Sequence, residues 1–156
     1  MIRWKWRAFA DLTGEELYRI LALRQRVFVV EQECAYQDAD GLDPHALHLL
    51  GCDPGGELVA YLRVVAPGHR YAEPSIGRVV TSPGIRRQGA GRALFAEGLR
   101  RAEETYPGSA LRLSAQAYLE PFYASFGFSR VGEPYDEDGI PHVEMVRGPG
   151  GAAAGS

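Results

Sequence analysis

Seven consecutive residues, Arg86-Arg87-Gln88-Gly89-Ala90-Gly91-Arg92, hold three arginines and two glycines. A β-branched run (Ile76, Val79, Val80) precedes them and reads as a strand, which Pro83-Gly84 ends. Ala93, Leu94 and Phe95 then open a helical pattern that continues through Leu99 and Ala102. The predicted order is strand, short basic glycine loop, helix. The first N–H groups of a helix lack internal partners and its dipole makes that end partly positive. A phosphate or pyrophosphate is the ligand such an end attracts, provided no side chain crowds the backbone. Gly89 and Gly91 keep the approach open, and the arginines add charge. The spacing is neither G-x-x-x-x-G-K-[ST] nor G-x-G-x-x-G, which excludes a Walker loop and the dinucleotide fingerprint. From these residues alone, an ordinary strand-to-helix turn tightened by glycine explains the stretch equally well.

The rest of the chain bounds what can position this loop. The 156 residues make about one domain with a single core. Hydrophobic content of 46% and charged content of 24% are those of a soluble globular protein. A net charge of −3 argues against a general nucleic-acid or membrane-surface binder. Cys34 and Cys52 stand at no metal-ligand spacing and read as free thiols of a reducing compartment. With no signal-peptide pattern and no apolar run of membrane-spanning length, the expected location is the cytoplasm.

Along the chain, Ile2 to Arg7 alternates as a strand, and Thr13-Gly14-Glu15-Glu16 has capping-box spacing. The helix that follows carries Leu17, Ile20, Leu21, Arg24 and Phe28 on one face. Arg24 interrupts that apolar face; an arginine there either pairs with an acid or lies at the rim of a site, and an acidic partner is the expectation. Residues 31–44 are a loop or broken helix rich in acids. Such a segment is either a solvated connection or a place that attracts a cationic amine. His45 to Cys52 and Leu58 to Val65 read as a hairpin around Asp53-Pro54-Gly55-Gly56. His48 within it is read as structural, and Arg63 sits in the second strand. The long helix runs from about Gly89 to Tyr106, followed by a strand at Leu111 to Ala115 and a short helix at Leu119 to Phe126. Two final strands, Phe128 to Val131 and Ile140 to Val146, flank the acidic turn 135–139, and residues 148–156 are predicted to be a disordered tail.

Arg86-Arg87-Gln88-Gly89-Ala90-Gly91 resembles the R/Q-x-x-G-x-G/A signature of the GNAT superfamily of N-acetyltransferases, and Phe122-Tyr123-Ala124-Ser125-Phe126-Gly127-Phe128 resembles the F-Y-x-x-F-G-F end of that family's later helix. Val27 to Gln32, Tyr36 to Gly41, Ala115-Gln116-Ala117 and Asp136 to His142 narrow the likeness to the small ElaA-type acetyltransferases. The likeness implies a single α/β domain over residues 4–147: a mixed central sheet of about seven strands flanked by helices, splayed to admit acetyl-CoA. It implies that Val79, Val80, Thr81, Arg86, Arg87, Gln88, Gly89, Ala90, Gly91 and Arg92 bind the coenzyme. The main chain of Val79 and Val80 would polarise the thioester carbonyl. Tyr123 stands at the position of the family's general acid. For the acidic 31–44 stretch, the likeness favours an acceptor pocket.

What the likeness implies is direct acetyl transfer from acetyl-CoA to an amine, with no metal, nucleic acid or membrane. The acceptor is a small amine or a peptide amine, and a homodimer is one option for the assembly. An alkylammonium must lose a proton before it can attack. Glu31, Asp38, Asp40, Glu73, His142 and Glu144 are all chemically able to take it, and so is a water relay. Two further functions stay open: an acyl-CoA sensor without turnover, and an acyl-homoserine-lactone synthase, since Arg24, Phe28 and Val29 to Gln32 are similar to the start of that related family.

Overall fold

The computed structural model describes residues 1–151. Seven strands form one sheet: β1 (Arg3–Ala8), β2 (Ala46–Cys52), β3 (Leu58–Val65), β4 (Ser75–Thr81), β5 (Leu111–Gln116), β6 (Ser129–Glu137) and β7 (Ile140–Arg147). Their spatial order is β1-β2-β3-β4-β5-β7-β6. Every neighbouring pair is antiparallel except β4 and β5, which are parallel. A parallel pair needs a crossover, and the helix α2 (Ala90–Thr105) supplies it.

Helices cover both faces. On one, α1 (Gly14–Arg24) lays Ile20 and Leu23 over Leu50, Leu58, Tyr61 and Val80. On the other, Leu94, Phe95, Leu99 and Ala102 of α2 pack on Leu62, Leu113 and Met145, together with Tyr123 of the short helix α3 (Glu120–Ala124). Complete burial of a side chain such as Leu94 or Phe95 stabilises by roughly 1.5–3 kcal/mol. Because both faces are covered, all eight residues of β3 are buried. Gly98 lets α2 approach β3, since a Cβ there would lie 2.5 Å from Leu62 Cδ2.

Local signals hold where they are short-range. Thr13 Oγ1 accepts from Glu16 N–H and Glu16 Oε1 accepts from Thr13 N–H, both at 3.0 Å, closing the capping box. The Asp53–Gly56 turn joins β2 to β3, with Gly56 N–H donating to Asp53 O. Three expectations change in extent. The first helix, read through Phe28, runs on to Glu31, its last part a π-helical stretch, Gln25–Glu31. Strand β6 runs on to Glu137, carried past Gly132 and Pro134 by an irregularity between Val131 and Tyr135, so the acidic turn shrinks to Asp138-Gly139. Within the expected tail, Pro149–Gly151 closes a single turn, and 152–156 lie outside the described residues. Among the described residues, no helix is long and apolar enough to cross a membrane.

Candidate active site

The site begins with a missing ladder. β4 and β5 pair only at Ser75 and Arg112, near their starts. Beyond that point they diverge and leave a cleft of about 420 Å³. Residues 76–81 of β4 form one wall, and Leu113, Ser114, Ala115 and Gln116 of β5 form the other. Val27, Phe28 and Glu31 of the π-helical stretch also border the cleft, as do Leu119 and Tyr123. π-helical turns recur at functional sites, and this one carries the end of the first helix to the cleft.

Strand β4 is itself irregular. Tyr61 opposes Val80 and Arg63 opposes Gly77, so Arg78 and Val79 together face Leu62, and the ladder has one residue too many on β4. Arg78 takes a φ of 53°, unusual for a residue with a Cβ. Its side chain is anchored: Nε lies 2.8 Å from Asp38 Oδ1, an ion pair without hydrogen-bond alignment, and Nη2 donates to the Asp38 carbonyl at 3.1 Å. The bulge thus includes Val79 and adjoins Val80, and both residues line the cleft.

Asp38 belongs to a network of three arginines and three aspartates. Arg24 Nε donates to Asp38 Oδ2 and Arg24 Nη1 to Asp43 Oδ1, each at 2.7 Å. Arg63 donates to Asp40 Oδ2 at 2.6 Å and to Asp43 Oδ1 at 2.9 Å. Arg24 and Arg63 are wholly buried. Burial would raise the carboxyls of Asp40 and Asp43, but the guanidinium groups of Arg63 and Arg24 hold both below the usual range. Tyr36 donates to Asp38 Oδ1 at 2.7 Å, and burial followed by that bond pushes its phenol up. The acidic 31–44 stretch is therefore not an open anionic pocket. Asp38, Asp40 and Asp43 are neutralised internally, and Arg24 has the acidic partners expected for it.

His48 is buried beside this network. Its Nε2 lies 3.0 Å from the Asp43 carbonyl, and its Nδ1 lies 2.6 Å from the Tyr61 hydroxyl. The tautomer that satisfies both carries its proton on Nε2 and accepts from Tyr61. Burial lowers its pKa, and it serves as a structural histidine.

The glycine loop follows β4 as a 3₁₀ turn at Pro83–Ile85. Arg87 and Gly89 take φ of 67° and 75°, and Gly89 is the N-cap of α2. Glycine brings no capping side chain, so nothing from residue 89 covers the first N–H groups of the helix. A Cβ at Gly91 would meet no atom within 4 Å. Val79, Val80, Thr81 and Arg86 line the cleft. Arg87, Gln88, Gly89, Ala90, Gly91 and Arg92 do not, and continue from Arg86 as the loop and first turn of α2. Two of the arginines are engaged. Arg86 pairs with Glu31 at 2.6 Å. Arg92 donates to Ser125 Oγ at 2.8 Å and lies 4.7 Å from the centroid of the Phe126 ring, so it docks α2 onto α3.

Tyr123 lines the cleft and is 6% exposed. Its ring stands edge-on to Phe95 and Phe122, at centroid distances of 5.0 and 5.1 Å. Burial, and to a lesser degree the neighbouring Tyr118, push its phenol up to about 12. It is protonated throughout the physiological range.

A mixed sheet splayed at its one parallel pair, opening toward an uncapped helix N-terminus, defines an acyl-CoA N-acyltransferase architecture. Comparison with known proteins agrees. The family model described as "Acetyltransferase (GNAT) domain" matches residues 10–147. Protein ElaA of Escherichia coli is 42% identical over 149 residues, 94% of this chain and 97% of that one. A UPF0039 protein of Synechocystis is 52% identical over 145 residues, 93% and 94% of the two chains. The crystal structure of an acyl-CoA N-acyltransferase from Pseudomonas aeruginosa superposes with a TM-score of 0.89 at 44% identity, covering 94% of this chain and 99% of that one. The chain belongs to the GNAT acetyltransferase family and, within it, to the ElaA type.

Proposed function

We propose that the protein moves an acetyl group from acetyl-CoA directly to an amine, in the cytoplasm. The observation that carries this reading is the single Ser75–Arg112 pair between β4 and β5. It opens a slot in the sheet lined by Val79, Val80, Thr81 and Arg86, the last of which leads into the loop before α2. The main-chain N–H groups of residues 88–91 would hold the diphosphate. Val79 and Val80 beside the bulge would donate to the carbonyl oxygen as it gains charge. Thr81 and Arg86 would line the path between. No acylated side chain is needed, because the amine attacks the thioester itself.

In this reading Tyr123 donates a hydrogen bond to the departing sulfur. Handing its proton over completely would be uphill. A phenol near 12 and a thiol near ~8.5 differ by about 3.5 pKa units, or ~5 kcal/mol. A charge-assisted hydrogen bond to the thiolate needs no such transfer.

The test is a panel of primary amines, small molecules and peptide termini, incubated with acetyl-CoA while released thiol is measured. Amine-dependent CoA release supports the reading. Tight CoA binding with no release across the panel would contradict it and favour a sensor.

A further inference from the structure

Among the six groups able to deprotonate an acceptor, five already carry an arginine. Glu31 pairs with Arg86 at 2.6 Å, Asp38 with Arg24 at 2.7 Å and Asp40 with Arg63 at 2.6 Å. Glu73 and Glu144 share Arg112, at 3.0 and 3.1 Å. An incoming ammonium would compete at each with a guanidinium 3.1 Å away or closer. His142 is the exception. It lies on β7 opposite Gln116 of β5, lines the cleft and is 8% exposed.

Its geometry is set from two sides. Nδ1 lies 2.7 Å from the Ile140 carbonyl, so Nδ1 carries a proton, and when the ring is neutral Nε2 presents a lone pair. Nε2 lies 3.3 Å from Glu137 Oε2, across the β6–β7 hairpin. In the neutral imidazole these are two acceptors facing one another, and the hydrogen they need between them comes either from a proton on Nε2 or from a donor that a ligand brings. Arg70 does not resolve this, because it approaches the other oxygen, Oε1, at 3.7 Å. The remaining neighbours do not either. The Tyr135 ring lies 6.1 Å away and its hydroxyl is taken by Ser114. Asp138 and Gln116 also border the cleft, and Gln116 turns its amide to Gln32. A primary ammonium, with three N–H donors and a positive charge, satisfies both acceptors at once.

We infer that His142 and Glu137 form the seat of the acceptor, that the acceptor is a primary alkylammonium, and that His142 Nε2 removes its proton. This rests on the N-acyltransferase reading above. Nε2 takes one proton from R–NH3⁺, and the imidazolium so formed faces the Glu137 carboxylate. The freed nitrogen pair attacks the thioester carbon; the C–N bond forms and the carbonyl electrons move to oxygen. As the carbonyl re-forms, the C–S bond breaks and its pair leaves on sulfur. The second nitrogen proton ends on that sulfur, and His142 releases the first to solvent. Ammonium and acyl-CoA thus become amide, CoA thiol and one proton.

The experiment uses the full chain with n-propylammonium, glycinamide and spermidine as probes, in two arms. In the first, the His142 ring resonances are followed by NMR without coenzyme. We expect a saturable shift with at least one probe, and Glu137→Gln should weaken it about tenfold or more. In the second, kcat/KM for acetyl transfer is followed against pH. His142→Gln should lower kcat about 100-fold or more, leave the KM for acetyl-CoA within about threefold and abolish the acidic limb of the wild-type profile. Should His142→Gln fold poorly, Glu137→Gln, at the more exposed residue, carries both arms. Ring resonances unmoved by every probe, or an acidic limb that survives His142→Gln, would overturn the inference. If no amine consumes acetyl-CoA at all, the acyltransferase reading fails, while the first arm still decides whether the hairpin holds an ammonium.

Discussion

Replacing Tyr123 by Phe removes one oxygen from a side chain that is otherwise packed. The ring's edge-on contacts with Phe95 and Phe122 survive the change. Among the described residues, no hydrogen bond to the hydroxyl is lost, so folding stability should move by less than about 1 kcal/mol. The chemical step should suffer. A hydrogen bond to a charged group contributes about 1.5–3 kcal/mol, which corresponds to roughly a 10- to 150-fold loss of rate. On the proposed reading residues 88–91 hold the coenzyme's diphosphate, so affinity for acetyl-CoA should stay within about threefold. The assay is single-turnover CoA release at saturating acetyl-CoA and amine, where product release does not mask the chemistry. With the phenol near 12, its ionisation contributes no basic limb below about pH 10, so wild type and variant should differ by a constant factor across that range. A variant within about threefold of wild type in single turnover would refute the role of Tyr123. A basic limb near pH 10 that disappears with the hydroxyl would instead support the role and contradict the upward shift of the phenol.

Asp43→Asn should destabilise the fold by about 3–5 kcal/mol in urea titrations, because Asp43 Oδ1 accepts from both Arg24 and Arg63 and its loss leaves the buried network one negative charge short. Acid should destabilise in two stages. The folded-state pKa of His48 is lowered by burial, so its contribution is complete above about 6.5 and lost as pH falls below it. Asp40 and Asp43, depressed by their arginines despite burial, add their loss below about pH 4. A urea midpoint that stays flat from pH 7 to pH 3 would contradict this. Gly98→Ala drives a methyl into Leu62, which is fully buried and cannot swing away. Overpacking of about 1–3 kcal/mol outweighs a helix-propensity gain of at most ~1 kcal/mol. A fall of roughly 2–8 °C in Tm should follow.

What the sequence reveals is mostly what neighbouring residues decide. Thr13 and Glu16 announce a cap because the two groups that bond are three positions apart. Pro54-Gly55-Gly56 announces a turn for a similar reason, and the strand–loop–helix order around Gly89 follows from a change of hydrophobic period. Asp38, Asp40 and Asp43 are different. Their partners include Arg63 and Arg78, 20 to 40 residues away, so a segment that reads as an acidic pocket is a neutralised brace. The signal available was Arg63 itself, a lone charge in a strand whose other residues are apolar or aromatic, which demands a buried counter-ion. The bulge in β4 gives less warning still, because Arg78 is not a residue that marks a positive φ. Tyr123 and the glycine loop stand out through family likeness, and of these the fold brings Tyr123 and Arg86 to the cleft. The six candidate bases look alike in the sequence, and only the folded chain shows that five of them stand against arginines.

The most direct test of the central claim is a crystal structure of the protein grown with acetyl-CoA. The account predicts the diphosphate against the main-chain N–H groups of residues 88–91. It also predicts the thioester between β4 and β5, with its sulfur facing the Tyr123 hydroxyl. Coenzyme bound on another surface, or a β4–β5 gap that stays closed to it at saturating concentration, would contradict the account.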